Sequence, residues 1–245
     1  MVHLHSVDGD APAEVPLADV PLVADTARTI AHRKPQLLSG GSVDDWGRDP
    51  QFIAALRPLV RLRWHVSVGG QVHLPPTGAA LLVANARRLS LGAVYSSLAL
   101  AESIGRPVRF VGRPDIAPLG PLMRRLGGLL RNADEVACAL RNGEIVLISA
   151  ASTSHPRHAG WVDPDLIASA VLTNSPVYPV ATISMRFGRA TRVEIGPMVP
   201  RRHRRRGPLA EVELAADVQR RVQKLLEELG GSNTGVGAID WLREG

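Results

Sequence analysis

The chain has 245 residues, of which 45% are hydrophobic, and a formal net charge of +6. This length and composition predict one globular domain with a short appendage and exclude an intrinsically disordered chain. The basic balance favours anionic partners such as lipid headgroups, phosphates, acyl-CoA or nucleic acid. The single cysteine, Cys138, excludes an internal disulfide and a cysteine-based zinc site, and we expect it to be a small core residue of a helix.

Composition divides the chain into three parts. Residues 1–45 are rich in Pro, Ala and Asp and predict a partly flexible N-terminal arm with one short helix over 20–32. Residues 46–230 predict the globular domain, and residues 231–245 a C-terminal tail. The chain shows neither a signal peptide nor an apolar run long enough to span a bilayer. We therefore expect a cytoplasmic protein, with peripheral contact with the inner face of the membrane as the alternative.

The globular part begins with a predicted helix after Asp49, because Pro50 is favourable at a first helical position. Pro58 is expected to bend or end that helix. The alternating segment RLRWHVSV (61–68) then predicts a strand.

A continuous apolar run, AALLVANA (79–86), predicts a strand that is buried on both faces. The helix after it is predicted to be capped by Ser90 and to end at Gly105. The segment PVRFVG (107–112) predicts the next strand, and 121–130 a short helix or turn.

The remaining elements follow from the same signals. Helices are predicted over 132–143 and 163–172 and strands over 144–149, 176–182 and 191–196, before a final helix over 209–230. That last helix places five apolar side chains on one stripe: Val218, Val222, Leu225, Leu226 and Leu229. Alternating strands and helices of this kind predict a layered α/β domain.

Four segments between residues 64 and 199 resemble, in order and spacing, the motifs of the glycerolipid acyltransferases, the family of 1-acylglycerol-3-phosphate acyltransferases. They are LLVANARRLSL, RFVGRPDIAPLGPLMRRLGG, GEIVLISAASTSH and SPVYPVA. The first corresponds to the family's N-H-x-x-x-x-D motif and the third to its F-P-E-G motif. The resemblance implies an α/β fold with a central, mostly parallel sheet flanked by helices and a helical N-terminal extension.

The four segments keep the order and spacing of the family's motifs but lack the reactive side chains that those motifs carry. Asn85 matches the family's asparagine, whereas Ala86 replaces the histidine, Leu91 the aspartate and Ala151 the glutamate. Acyl transfer to a hydroxyl needs a base with a pKa near neutrality, which a histidine supplies. Loss of an orienting carboxylate from a catalytic triad alone lowers the rate by about 10⁴. Three such losses together predict that the site does not catalyse this reaction.

Candidate binding residues surround the same motifs. Arg87 and Arg88 precede a helix N-terminus, where a phosphate or the CoA pyrophosphate binds favourably, but a solvated loop explains them equally well. Arg113 stands where the family carries a lysine and keeps its charge. Ser152 and Thr153, in the loop after the third motif's strand, complete the predicted phosphate-binding set. No nucleophilic serine is predicted, because no G-x-S-x-G turn is present.

Two histidines offer the alternative of a relocated catalytic base. His155 and His158 follow the third motif, and a solvent-facing loop is the preferred interpretation of both. No cluster of metal ligands surrounds them, so neither a metal nor another cofactor is predicted. The basic run PRRHRRRG (200–207) is interpreted as a solvated loop first and an anionic-membrane contact second; nucleic acid is disfavoured as its partner because no aromatic residues interleave with it.

The preferred hypothesis is a catalytically degenerate acyltransferase homologue in lipid metabolism. It would bind acyl-CoA or a lysophospholipid and act as a scaffold or as a regulatory partner in a lipid-synthesis complex. The alternatives are an active acyltransferase that uses His155 or His158, and a basic adaptor that retains only the fold.

Overall fold

A computed structural model describes residues 43–63, 65–85, 91–151, 158–184, 190–201 and 207–231. The predicted tail after residue 231, and all of the predicted arm except 43–45, therefore lie outside the described residues. The elements are α1 (Pro50–Arg63), β1 (His65–Gly69), a 3₁₀ helix (Gln71–His73), β2 (Ala80–Ala84), α2 (Gly92–Ile104), β3 (Val108–Val111), α3 (Leu119–Arg125), β4 (Gly128–Leu129), α4 (Ala133–Arg141), β5 (Ile145–Ser149), α5 (Pro164–Thr173), β6 (Val177–Ser184), β7 (Ala190–Ile195) and α6 (Pro208–Gly231).

Within the described residues, seven strands form one sheet in the order β1-β7-β6-β2-β5-β3-β4. Neighbouring strands are parallel except β6 and β7, which form an antiparallel pair. All five residues of β2 are buried, as expected of a central strand covered on both faces. The predicted α/β fold with a mostly parallel sheet flanked by helices is confirmed.

Helices cover the two faces of the sheet through separate apolar clusters. On one face, α4, α5 and α6 pack on β2 and β5 through residues such as Val136, Ile167 and Val222. On the other face, α2 packs through Leu100 on the opposite sides of the same strands. The predicted stripe of α6 is confirmed, because Val218, Val222 and Leu226 are fully buried and Leu225 and Leu229 pack at the edge of the cluster. Each such buried side chain contributes about 1.5–3 kcal/mol.

Three helix ends carry side chains or backbone conformations that are typical of helix caps and stops. The Asn132 side chain accepts a hydrogen bond from the Asp134 N–H at 2.7 Å, and caps α4. Asp163 caps α5 in the same way. Gly105 ends α2 with φ 68°, a left-handed conformation that glycine adopts without strain. The start of α2 differs, since the helix begins at Gly92 and Ser90 lies outside the described residues.

The prediction for α1 is wrong at its C-terminal end. The helix continues past Pro58 to Arg63, so residues 61–63 are helical and the strand begins only at His65. Pro58 removes one backbone N–H and leaves the Ala54 carbonyl without its usual partner. Ala54 and Pro58 are both exposed, so water can satisfy that carbonyl and the helix tolerates the proline.

The prediction for Cys138 is also wrong, because its side chain is exposed. Helix α4 buries Val136, Ala137, Ala139 and Leu140. At 3.6 residues per turn those four positions centre on one side of the helix, and residue 138 falls on the opposite side.

A buried arginine joins the segment before α1 to the sheet. Arg109 of β3 is 1% exposed, and its Nη2 donates to Asp44 Oδ2 at 2.7 Å and to Glu144 Oε1 at 3.0 Å. Its guanidinium also lies 5.5 Å from the centre of the Trp46 ring. Burial, and then the charge of Arg109, lower the pKa of the neighbouring Arg48. The segment 43–49 is therefore held by a buried charged cluster that the apolar strand pattern did not predict.

The first turn of α1 is anchored to α3. Asp49 Oδ1 accepts the Phe52 N–H at 2.9 Å, and Arg125 Nη2 donates to Asp49 Oδ2 at 2.7 Å. The Phe52 hydrogen bond and then the Arg125 guanidinium hold the pKa of Asp49 below its usual value.

No helix in the described part of the chain is long and apolar enough to cross a bilayer.

Candidate functional site

The connections of the sheet define a topological switch point at the neighbouring strands β2 and β5. The chain leaves β2 through α2, on one face, towards β3, and it leaves β5 through α5, on the other face, towards β6. β2 and β5 are neighbours, so the connections that follow them run in opposite directions. In open α/β sheets, ligands bind beyond the carboxyl ends of the strands at such a switch point. The candidate site therefore lies beyond Ala84 and Ser149, where the strands of two of the acyltransferase-like motifs end.

The side chain of Asn85, the residue after β2, is hydrogen-bonded to the neighbouring strand β6. Its Nδ2 donates to the Thr182 carbonyl at 3.0 Å, and its Oδ1 accepts the Thr182 N–H at 2.7 Å. The side chain is 8% exposed. These two bonds extend the pairing of β2 with β6 by one step, so the amide holds the strand ends together.

The third motif turns back on itself directly after β5. Ala150 donates its N–H to the Ala84 carbonyl at 2.8 Å, and Ala151 donates to the Trp161 carbonyl at 2.7 Å. Gly160 lies so close to Ala151 that a Cβ at this position would overlap the Ala151 carbonyl oxygen. The backbone of Ala151 is therefore held in place at the switch point, and the side chain that it carries there is a methyl group.

Leu91 stands at the N-terminus of α2, where the family motif has its aspartate. Its side chain is 49% exposed and makes no capping hydrogen bond. The core therefore does not require a leucine at this position.

Leu91→Asp is expected to raise the free energy of unfolding by about 0.3–1 kcal/mol, because a negative charge at a helix N-terminus interacts favourably with the helix dipole. Urea unfolding of the two proteins at neutral pH measures the difference. Leu91→Asn is the uncharged control, and the gain of the aspartate over the asparagine should shrink at high salt. Equal or lower stability of Leu91→Asp at low salt would contradict the assignment of Leu91 as the exposed N-cap residue of α2.

Arg113 is the predicted binding residue that the structure describes. It follows β3 at the same edge of the sheet, and its side chain is 14% exposed. Its Nη2 lies 3.8 Å from Glu135 Oε1, and Glu135 Oε2 also accepts the Leu130 N–H at 3.1 Å. Within the described ranges, the buried Nε of Arg113 has no hydrogen-bond partner. Arg113 therefore keeps a free donor, although Glu135 partly balances its charge.

Among the other predicted site residues, the structure describes His158. His158 is exposed, and the N–H of its neighbour Ala159 donates to Gln223 Oε1 of α6 at 2.9 Å. The remaining candidates lie outside the described residues and stay predictions: Ala86, Arg87, Arg88, Ser152, Thr153, His155 and residues 202–206.

Sequence reasoning missed the partners of the site residues. Thr182 carries no signal that it would fix Asn85, since the two are 97 residues apart. Glu135 was predicted only as a residue of the helix over 132–143, with no partner assigned to it. Large apolar side chains also remain exposed near this edge: Ile116 at 67%, Leu119 at 42% and Trp161 at 57%.

The seven-stranded sheet, its helices and the position of the switch point define an α/β protein with an acyltransferase-like fold. Among solved structures, the chain is similar to the crystal structure of PlsC, the 1-acyl-sn-glycerophosphate (LPA) acyltransferase of Thermotoga maritima. The two share 19% sequence identity at a TM-score of 0.55, over 73% of this chain and 78% of that chain. No family model matches the sequence, and no curated protein matches it significantly. The likeness shows the fold alone.

Proposed function

We propose that this protein is a catalytically degenerate homologue of the glycerolipid acyltransferases. It binds a phosphate-bearing lipid or acyl-CoA at the carboxyl edge of the sheet and serves as a scaffold or regulatory partner in lipid metabolism. One observation carries the proposal. At the switch point of an acyltransferase-like sheet, β5 is followed by Ala151, whose side chain is only a methyl group, and β2 is followed by Asn85, whose amide is hydrogen-bonded to Thr182.

The chemistry of these groups supports the absence of acyl transfer. An amide and a methyl group cannot accept a hydroxyl proton near neutral pH, and Leu91 cannot orient a base. The sequence adds Ala86 at the position of the family's histidine. The groups that would activate the acceptor hydroxyl are thus missing from three positions of the motifs.

The groups that remain favour binding of an anion that carries an apolar chain. Arg113 follows β3 at this edge of the sheet, and among the described residues its buried Nε has no hydrogen-bond partner. A hydrogen bond from its charged guanidinium to a ligand phosphate contributes about 1.5–3 kcal/mol. Ile116 follows Arg113 closely in the chain, and Trp161 is bonded through its carbonyl to Ala151. Their exposed apolar surfaces suit an acyl chain.

Two measurements test the proposal. Purified protein incubated with acyl-CoA and lysophospholipid is expected to show no transfer, while native mass spectrometry and lipid extraction detect bound lipid or acyl-CoA. Arg113→Leu should weaken that binding by roughly tenfold or more, whereas Arg113→Lys should preserve most of it. Arg131→Leu is the matched control, because Arg131 is an exposed arginine paired with Asp163.

Other outcomes would replace the proposal. Turnover that disappears in His155→Ala or His158→Ala would show an active enzyme with a relocated base. Failure to bind any lipid or acyl-CoA would favour a basic adaptor that keeps only the fold.

A further inference from the structure

Two arginines lie close together at the amino end of the sheet, at the opposite end of the strands from the candidate site. Arg109 is the second residue of β3, and its partner Glu144 comes directly before β5. One carboxylate joins Arg109 to Arg48, because Asp44 Oδ1 accepts the Arg48 N–H at 2.8 Å and Asp44 Oδ2 accepts Arg109 Nη2 at 2.7 Å. The stem of Arg48 also lies beside Gly127, whose carbonyl accepts the N–H of the residue after Arg109 at 3.3 Å. The side chain of Arg48 therefore packs next to β3.

Both guanidinium groups are buried and keep N–H groups without partners. Arg48 is 9% exposed and Arg109 is 1% exposed. Among the described residues, no hydrogen-bond partner reaches Nε of Arg48 or Nε and Nη1 of Arg109. The Trp46 ring faces the Arg109 guanidinium, but its indole offers no acceptor atom for an N–H group. Buried donors of charged groups that have lost water need another acceptor.

The electrostatic surroundings of Arg48 favour an additional negative charge. Asp44 and Glu144 both form their ion pairs with Arg109. Burial, and then the charge of Arg109, lower the pKa of Arg48, although the two carboxylates act in the opposite direction. An arginine stays protonated at neutral pH despite such a shift. The carboxylates therefore compensate the cation of Arg48 incompletely, and an anion beside it would lower the cost of its burial.

We propose that Arg48 and Arg109 together bind a small monovalent anion of the chloride class. The anion accepts hydrogen bonds from the unpartnered N–H groups and balances the charge of Arg48. A water molecule can accept the same hydrogen bonds but leaves that charge uncompensated, which favours the anion. A multiply charged anion is disfavoured, because it brings a second negative charge beside Asp44 and Glu144. The bound anion fixes the segment 43–49 to β3, and the inference does not depend on the proposed function.

Thermal unfolding of the full chain tests the proposal. At constant ionic strength, replacing gluconate with about 100 mM chloride should raise the midpoint by roughly 3 °C, because an anion that binds only the folded protein stabilises it. Arg48→Met keeps the stem and removes the guanidinium, so its midpoint should not respond to chloride. In gluconate this variant should be at least as stable as the wild type, since it lacks an uncompensated buried charge. Arg131→Met is the matched control, because Arg131 is exposed and paired with Asp163, and it should keep the wild-type response.

A crystal structure in bromide locates the ion. Bromide replaces chloride and should give an anomalous difference peak beside the Arg48 and Arg109 guanidinium groups of the wild type. If Arg48→Met fails to fold, the wild-type crystal and the wild-type midpoints decide the question. A water molecule at this position with no anomalous peak would overturn the proposal. Wild-type stability that does not depend on chloride, or a chloride response that Arg48→Met retains, would also overturn it.

Discussion

Replacing Arg109 with alanine is expected to lower the free energy of unfolding by about 3 kcal/mol or more. The guanidinium is 1% exposed and bonds to two carboxylates, those of Asp44 and Glu144. Its removal leaves both carboxylates in a partly buried site without their cation and leaves a cavity beside Trp46. The segment 43–49 should then detach from the sheet before the rest of the domain unfolds.

Urea unfolding and hydrogen exchange of residues 43–49 measure the two effects. Arg109→Met should destabilise less than Arg109→Ala, because methionine fills much of the volume even though it lacks the charge. Arg131→Met removes an exposed arginine from its pair with Asp163 and should change stability by no more than about 1 kcal/mol. Equal effects of Arg109→Ala and Arg131→Met would contradict a stabilising role for the buried cluster.

Gly160→Ala is expected to destabilise the protein by about 3 kcal/mol and to disturb the candidate site. A Cβ at position 160 would overlap the carbonyl oxygen of Ala151, which is backbone and cannot rotate away. The loop must move to accommodate the methyl group, which weakens the 2.7 Å hydrogen bond from the Ala151 N–H to the Trp161 carbonyl. The proposed binding of lipid or acyl-CoA should therefore fall together with stability.

Gly78→Ala provides the matched control. Gly78 has φ +85°, and a Cβ at this position would meet no atom within 4 Å, so alanine there costs only the backbone conformation, about 1 kcal/mol. Thermal unfolding of the two variants separates steric overlap from backbone strain. A smaller loss of stability for Gly160→Ala than for Gly78→Ala would show that residues 151 and 160 are not packed as described.

Local patterns were enough to predict most of the sheet and its helices. The apolar runs that became β2 and β5, the glycine that ends α2, and the stripe of α6 all depend on residues close together in the chain. Where the prediction was wrong, the exposure of the residue to solvent in the folded structure explains the difference. Pro58 is tolerated because it and Ala54, whose carbonyl it leaves unpaired, are exposed to water. Cys138 is exposed because Val136, Ala137, Ala139 and Leu140 form the buried side of α4 and residue 138 falls on the opposite side.

For the candidate site, the sequence by itself determined that residues 86, 91 and 151 are Ala86, Leu91 and Ala151, whose side chains can neither accept nor donate a proton. Only the tertiary structure decided what the neighbouring groups do. The amide of Asn85 is bonded to Thr182, Arg113 is partly balanced by Glu135, and Arg109 is buried between Asp44 and Glu144. The physical reason is that burial patterns repeat along a few residues of chain, whereas a polar group's partner is chosen by the packing of segments far apart in sequence.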